Sequence, residues 1–265
     1  MGKANVIILT GYGINCDVET SWAFEMAGAD KIDRVHINRI INGETSLDEY
    51  NIMVFPGGFS FGDHISSGRI LGLKIKKEMG EKIEKFISEK KLVLGICNGF
   101  QVLVKMGILP GRKDSVYGKQ TVTLTVNDSA KYEDRWVTIK SNPENKSPFL
   151  KGIESFKVAV RHGEGKFIAQ SHSLRDIKFS GLIAFQYIEK DGSPARNYPE
   201  NPNGSDLSIA GITNYQGNVL GLMPHPEVYI NKTQHPEWTR LVNSEKTGEG
   251  LKLFTNAVQY VRKKL

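Results

Sequence analysis

Cysteine is scarce in this chain: Cys16 and Cys97 are the only two among 265 residues. Two thiols make no disulfide framework at this length, neither sits in a Cys-x-x-Cys pair, and no His/Cys cluster has zinc-ligand spacing, so no metal is expected. Long apolar runs are missing as well. None reaches the ~18 residues needed to cross a bilayer. The first, residues 6–9, is too short for the core of a secretory signal and is followed by no small-residue cleavage site. A cytoplasmic chain with no membrane partner is the expectation. Neither sign of charge dominates: 35 basic residues against 29 acidic leave a formal +6. The lysines fall on expected helix faces (Lys74, Lys76, Lys77, Lys82, Lys85, Lys90, Lys91) and at Arg262-Lys263-Lys264. Nucleic-acid binding needs a concentrated basic stripe with interleaved aromatics; none is present, and no nucleic-acid partner is expected.

What is present reads as α/β. With 39% apolar and 24% charged residues the composition is that of a globular protein rather than a disordered one. Residues 6–9, 52–55 and 92–94 are apolar runs of the length and makeup of buried parallel strands. Each runs into glycine-rich or polar sequence: Thr10-Gly11-Tyr12-Gly13, Pro56-Gly57-Gly58, and Gly95 before Cys97. In open α/β sheets ligands bind beyond the carboxyl ends of the strands, so these three ends mark where to look. A fourth strand near residues 33–37 fits between the first two. Helices are predicted over residues 17–27, stopping at Gly28, over 74–90 with Ile75, Met79, Ile83, Phe86 and Ile87 on one face, and from Cys97 to Gly107. The result is an open, mostly parallel, doubly wound sheet with right-handed crossovers.

From Lys119 to about Leu222 the texture changes. Residues 121–126, 136–139, 157–160, 182–186 and 218–222 alternate or run short, and are predicted as mainly antiparallel strands extending the same sheet. Residues 197–205, rich in Pro, Asn and Gly, are predicted as a loop. A last amphipathic helix over 249–262 buries Leu251, Phe254, Val258 and Val261. With no internal repeat and no linker, residues 1–265 read as a single domain.

The stretch Val93-Leu94-Gly95-Ile96-Cys97-Asn98-Gly99-Phe100-Gln101 carries the most information. An apolar strand enters a turn flanked by glycines and leaves as a helix with cysteine at the apex, the cysteine form of a nucleophile elbow. The glycines let strand and helix close around a strained turn. A helix N-terminus beyond Cys97 favours thiolate over thiol. A buried cysteine is otherwise often only a small core hydrophobe; the glycine frame is what tips the reading toward a nucleophile. Such a thiol needs a base and a group to orient the base. Leu220-Gly221-Leu222-Met223-Pro224-His225-Pro226-Glu227 offers both at the end of an apolar strand. Two residues apart in extended chain, His225 and Glu227 project from one face, and Pro226 is expected to hold that extended spacing. His36, His64, His172 and His235 have no such frame and are expected at the surface or in structural roles. Gly57 and Gly58 suit an oxyanion hole, with the N–H of Asn98 as the second donor.

Taken together, Pro56-Gly57-Gly58, the elbow through Gln101, and His225-Pro226-Glu227 resemble the class I (triad) glutamine amidotransferases. Within them, four further stretches resemble the glutaminase subunits of phosphoribosylformylglycinamidine synthase, from purine biosynthesis. These are Gly13-Ile14-Asn15-Cys16-Asp17, Gly57-Gly58-Phe59-Ser60-Phe61-Gly62-Asp63, His162-Gly163-Glu164-Gly165 and Asn201-Pro202-Asn203-Gly204-Ser205, and Asn98 after the nucleophile is typical of that branch. The resemblance implies a flavodoxin-like glutamine amidotransferase fold and hydrolysis of L-glutamine through a Cys97 thioester. The ammonia would pass to a synthetase subunit, with a small accessory subunit completing the assembly. It also implies that Gln101 and the backbone near Gly163 and Glu164 hold the α-amino and α-carboxylate groups of glutamine. ATP and Mg²⁺ would belong to the synthetase, with no cofactor in this chain; independently, no Gly-x-x-x-x-Gly-Lys-Ser/Thr phosphate loop is present. Cys16 reads as a packing residue. Three other readings stand beside this one. An amidotransferase serving a different synthetase is opposed by Asn98 and the Asn-Cys-Asp and Asn-Pro-Asn-Gly motifs. A flavodoxin-like cysteine peptidase or chaperone would not be expected to carry the His225/Glu227 pair, and a noncatalytic scaffold should have lost a triad member. The stretch after Glu227, Tyr229 to Trp238, is longer than in compact bacterial subunits and suggests a partner contact or a lid.

Overall fold

Val6, Ile7, Ile8 and Leu9 have no polar side to turn toward water, and in the computed structural model they form the buried centre of a strand. The structure describes residues 2–63, 66–240 and 246–265. The first half of the chain runs β1 (Asn5–Thr10), α1 (Asp17–Met26), β2 (Lys31–His36), α2 (Ile37–Ile41), β3 (Ile52–Phe55), α3 (Arg69–Ser88), β4 (Leu92–Ile96) and α4 (Asn98–Met106). The second runs β5 (Val122–Thr125), β6 (Glu133–Ser141), β7 (Ser155–His162), β8 (Lys166–Ala169), α5 (Ser171–Phe179), β9 (Ile183–Tyr187), β10 (Ile209–Thr213), β11 (Val219–Leu222) and α6 (Leu251–Lys264), with short 3₁₀ turns between.

Nine strands form one sheet in the order β2-β1-β3-β4-β11-β10-β9-β6-β7. The first five are mutually parallel and the last four antiparallel, so the expected parallel sheet with an antiparallel extension is present. The chain steps from β1 to β2 in one direction along the sheet and from β3 to β4 in the other. Right-handed crossovers then put α1 and α3 on opposite faces. Accordingly α1 packs on α6, with Phe24 edge-on to Phe254 at 5.1 Å, while α3 packs on α4. α3 buries Leu71, Ile75, Met79, Ile83, Phe86 and Ile87, the predicted stripe and one turn more. α6 buries Leu251, Phe254, Val258 and Val261 as expected. Among the described residues no helix is long and apolar enough to cross a membrane.

Four expectations are corrected. Residues 122–125 do not extend the main sheet; they pair with β8 in a separate two-stranded sheet. The alternation that marks a half-exposed strand is the same in either sheet. β11 is parallel to its neighbour β4, register Leu222 to Ile96, because it lies on the inner side of the antiparallel extension. Ile37 opens α2 instead of ending β2, since His36 Nδ1 accepts Asn38 N–H at 3.1 Å and caps a helical turn there. Within the half expected to be mainly strand, residues 171–179 form a helix, α5, whose buried face is only Ser173 and Ile177.

The stretch after Glu227 packs on the antiparallel strands β6 and β7. Trp136 of β6 meets Tyr229 at 5.3 Å and His235 at 5.1 Å, Glu237 bridges to Lys157 of β7 at 2.8 Å, and Asn231 pairs with Thr247. His36 and His172 are exposed and His235 is buried among those rings, as a structural reading requires; His64 lies outside the described residues.

Candidate active site

The carboxyl ends of β1, β3, β4 and β11 open on the same edge of the sheet, and each delivers one part of the site. β4 delivers Cys97. Its backbone has φ 50 and ψ −107, a left-handed conformation for a side-chain-bearing residue, at the N-cap of α4. Such a residue costs on the order of 1–3 kcal/mol and persists only where its surroundings enforce it. Here Cys97 N–H donates to Leu222 O at 2.8 Å, tying the turn to β11. The flanking glycines are steric necessities. A Cβ on Gly99 would stand 1.8 Å from Phe55 O, and one on Gly95 2.6 Å from Leu103 Cδ1. The thiol is 6% exposed and points toward Arg161 O, 3.5 Å away.

β11 delivers His225 and Glu227. His225 N–H donates to Ala159 O at 2.9 Å, and Nδ1 lies 2.6 Å from Glu227 Oε1, with the carboxylate fully buried. The expected extended spacing is not how they meet. Pro226–Val228 is a 3₁₀ turn, His225 has ψ 84, and the pair closes across the turn. Proline's fixed φ suits the first position of a helical turn as well as an extended chain. Burial pulls the His225 pKa down, but the Glu227 carboxylate foremost, then Cys97, outweigh it and hold it well above the ordinary imidazole value. The imidazolium is thus the favoured form.

β1 and β3 deliver a clasp of two loops. Asn15 and Cys16 N–H both donate to Gly57 O, at 3.1 and 3.2 Å, while Phe59 N–H donates to Gly13 O and Phe61 N–H to Tyr12 O. Gly58, with φ +151, has no room for a side chain: a Cβ would lie 2.6 Å from Gly13 O. A Cβ on Gly57 would lie 2.8 Å from His225 Cε1 and 3.1 Å from Cys16 Sγ. The clasp therefore brings Gly57 against the imidazole and, with it, Cys16. Cys16 was read as packing; the structure lines the pocket with it. That pocket, about 320 Å³, is also bounded by Asn15, Glu19, Gly58, Phe59, Cys97, Tyr132, Arg161 and His225. Only its place at the end of the first strand hinted at Cys16, and nothing local pointed to Glu19, Tyr132 or Arg161.

The remaining motif residues build one buried polar scaffold. Asn98 Nδ2 donates to Gln101 Oε1 at 2.9 Å, and Gln101 Nε2 donates to Glu164 O at 2.7 Å. Glu164 Oε2 accepts Ser67 N–H at 3.1 Å, and Gly163 O accepts Asn127 N–H at 2.9 Å. Asn127 Oδ1 accepts Gly165 N–H at 2.9 Å, its Nδ2 donates to His162 O at 2.8 Å, and Asn203 Nδ2 donates to Gly165 O at 2.9 Å. Asn203 Oδ1 in turn accepts Ser205 Oγ–H at 2.7 Å. The two motifs His162-Gly163-Glu164-Gly165 and Asn201-Pro202-Asn203-Gly204-Ser205 are thus halves of one support beneath Gln101. Desolvation, and then the charge of His225, push the buried His162 down to about 3, so it serves as a neutral hydrogen-bonding ring.

A buried thiol at a helix N-terminus, beside an imidazole whose far nitrogen is held by a carboxylate, is the arrangement of nucleophilic acyl transfer. The comparisons with known proteins agree. The sequence profile of the CobB/CobQ-like glutamine amidotransferase domain matches residues 3–261. The phosphoribosylformylglycinamidine synthase subunit PurQ of Dehalococcoides mccartyi is 43% identical over 263 residues, covering 99% of both chains. The subunit of that name from Treponema denticola is 39% identical, over 98% of this chain and 99% of its own. Among solved structures, a chain of PurLQS from Thermotoga maritima superimposes with a TM-score of 0.72 at 27% identity, covering 98% of this chain and 99% of that one. The full-length match to the D. mccartyi chain means that the stretch after Glu227 is not an addition peculiar to this sequence.

Proposed function

We propose that this chain, which belongs to the CobB/CobQ-like glutamine amidotransferase domain family, is the glutaminase subunit of a phosphoribosylformylglycinamidine synthase. In this reading residues 1–265 act as one amidotransferase domain in the cytoplasm. The observation that carries it is the elbow cysteine facing His225, with Glu227 Oε1 2.6 Å behind the ring.

His225 starts as the imidazolium, which its raised pKa favours, and the Cys97 sulfur is the nucleophile. The thiolate attacks the side-chain amide carbon of L-glutamine. Gly57 and Gly58, with the N–H of Asn98 at the start of α4, steady the developing oxyanion. The tetrahedral intermediate expels ammonia as His225 Nε2 gives up its proton. Water, deprotonated by the now neutral His225, then hydrolyses the γ-glutamyl thioester to glutamate. Glu227 holds the imidazole in place and stabilises its charged form throughout. Gln101, with the Gly163–Glu164 backbone, orients the α-amino and α-carboxylate groups. The ammonia passes to a synthetase subunit that holds ATP and Mg²⁺ and converts formylglycinamide ribonucleotide to the amidine, with a small accessory subunit in the assembly.

Purifying this chain with its synthetase tests the reading. Cys97→Ala should abolish glutamine-driven amidine formation and leave the ammonium-driven reaction intact. Full glutamine-driven activity in Cys97→Ala, or no binding to a synthetase at all, would overturn it.

A further inference from the structure

Cys16 has no part in the reaction outlined above, yet it stands against the base that performs it. The clasp that ties Asn15 and Cys16 N–H to Gly57 O brings the thiol alongside the imidazole. One methyl group at Gly57 would touch both, Cys16 Sγ at 3.1 Å and His225 Cε1 at 2.8 Å. With Nδ1 committed to Glu227 at 2.6 Å, the ring turns Nε2 toward two sulfurs, Cys16 and Cys97, and is hydrogen-bonded to both. Cys16 Sγ also donates to Asn15 Oδ1 at 3.3 Å. That bond spends the one S–H proton on the amide and leaves the sulfur lone pairs to face the ring as an acceptor. Burial pushes the Cys16 thiol up, against the opposing pull of His225, so it stays a neutral thiol rather than a second nucleophile.

We propose that Cys16 is a positioning residue for the second half of the reaction, its sulfur accepting the Nε2–H hydrogen bond of His225 once Cys97 is acylated. This rests on the thioester route proposed above. Before attack the ring has two sulfur partners. In the γ-glutamyl thioester the Cys97 lone pairs are drawn toward the carbonyl, that sulfur becomes a poor acceptor, and Cys16 is the partner that is left. During hydrolysis water gives a proton to Nε2 as its oxygen bonds to the thioester carbon. The C–S bond then breaks, which frees glutamate and returns the Cys97 sulfur. Positive charge therefore builds on the ring at the one stage when Cys97 cannot answer it. Cys16 accepts a share of the new N–H, while Glu227 holds Nδ1, so the ring is fixed at both nitrogens. Without Cys16 it would be held at Nδ1 alone, free to tilt about that contact and away from the water. Acylation is spared, because there Nε2 still has the free Cys97 sulfur as its partner.

An activated substrate separates the two halves in one trace. The γ-(p-nitrophenyl) ester of L-glutamate loses its leaving group without protonation, which makes hydrolysis of the thioester the slow step. With the synthetase complex, the burst of nitrophenolate then reports acylation and the steady rate reports hydrolysis, with Cys97→Ala as the blank. Cys16→Ala should lower the steady rate about tenfold, the scale of one hydrogen bond to a charged ring, and leave the burst rate and the kcat/KM for glutamine within about twofold of wild type. Cys16→Ser keeps a donor and an acceptor and should recover most of the lost rate. Melting curves on the same preparations establish that both variants fold. A merely structural role would slow burst and steady rate together. A folded Cys16→Ala chain with the wild-type steady rate, a burst slowed as much as the steady rate, or a serine variant no better than alanine would overturn the proposal. Wild type that does not turn over the ester at all would sink the thioester route itself, and this inference with it.

Discussion

Gly57→Ala adds one methyl group beside the imidazole and leaves every other group of the site in place. Gly57 lies outside the left-handed region, so alanine meets no backbone penalty there. Its Cβ would stand 2.8 Å from His225 Cε1 and 3.1 Å from Cys16 Sγ. Carbon atoms rest at about 3.5–4.0 Å, so the ring has to withdraw by roughly 0.7 Å or more. It cannot do so freely, because Nδ1 is held by Glu227 at 2.6 Å and the backbone N–H by Ala159 O at 2.9 Å. A misplacement near 1 Å at a group that moves a proton costs up to about 100-fold. A fall in kcat of about 10–100-fold, or ~1.4–2.7 kcal/mol of transition-state stabilisation, is therefore expected. The assay is steady-state glutamine hydrolysis in the synthetase complex, beside ammonium-driven synthesis and a melting curve on the same preparation. Glutamine turnover should fall while the other two hold. Wild-type kcat in a folded Gly57→Ala chain would refute the reasoning, because the ring would then have room that the structure denies it.

Glu227→Gln keeps the shape and removes the charge that outweighs burial at His225, so the imidazole pKa should drop and kcat fall by at least about 100-fold. A pH–rate profile unchanged from wild type would count against the assigned role of the carboxylate. His162, depressed from 6.5 to about 3, makes stability pH-dependent. The unfolded chain binds the proton that the folded chain refuses, so this contribution is whole above pH 6.5 and lost as pH falls toward 3. It amounts to about 2 kcal/mol between pH 6.5 and 5, and denaturant melts of His162→Gln should show a shallower acid slope than wild type. Asn203→Ala strips a donor from Gly165 O and an acceptor from Ser205, costing about 1–3 kcal/mol. By loosening the turn that carries Glu164 it should raise KM for glutamine more than it lowers kcat; the opposite split would detach the scaffold from substrate binding.

What the sequence shows plainly is chemistry packed into a short stretch. Gly95, Cys97 and Gly99 must all lie within one turn, because the contacts that forbid a Cβ are made by Phe55 O and by Leu103 of the helix that follows. The parallel half of the sheet is legible for a similar reason: runs such as Ile52–Phe55 and Leu92–Ile96 are buried on both faces and have no second pattern to fit. Strand direction is not written into four residues. Val219–Leu222 would bury equally well in either sense, and only its place next to β4, more than a hundred residues away in the chain, makes it parallel. That one difference matters, because a parallel β11 ends beside Cys97 and an antiparallel one would carry His225 to the opposite edge.

The harder cases are those where one sequence feature serves two geometries. Pro226 between His225 and Glu227 is compatible with an extended chain and with the first position of a 3₁₀ turn, and both bring the imidazole to a carboxylate. The pair could be named from sequence even though its route could not. Cys16 shows the reverse. Its neighbours place it in a loop, and a lone cysteine in a loop is ordinarily inert; what makes it part of the site is the carbonyl of Gly57, which accepts from both Asn15 and Cys16 and draws one loop across the other. That crossing depends on glycines at Gly57 and Gly58, read from sequence as oxyanion-hole candidates. The same two residues thus set the distance from Cys16 to His225, so a side chain at either position should disturb the second sulfur and the imidazole together.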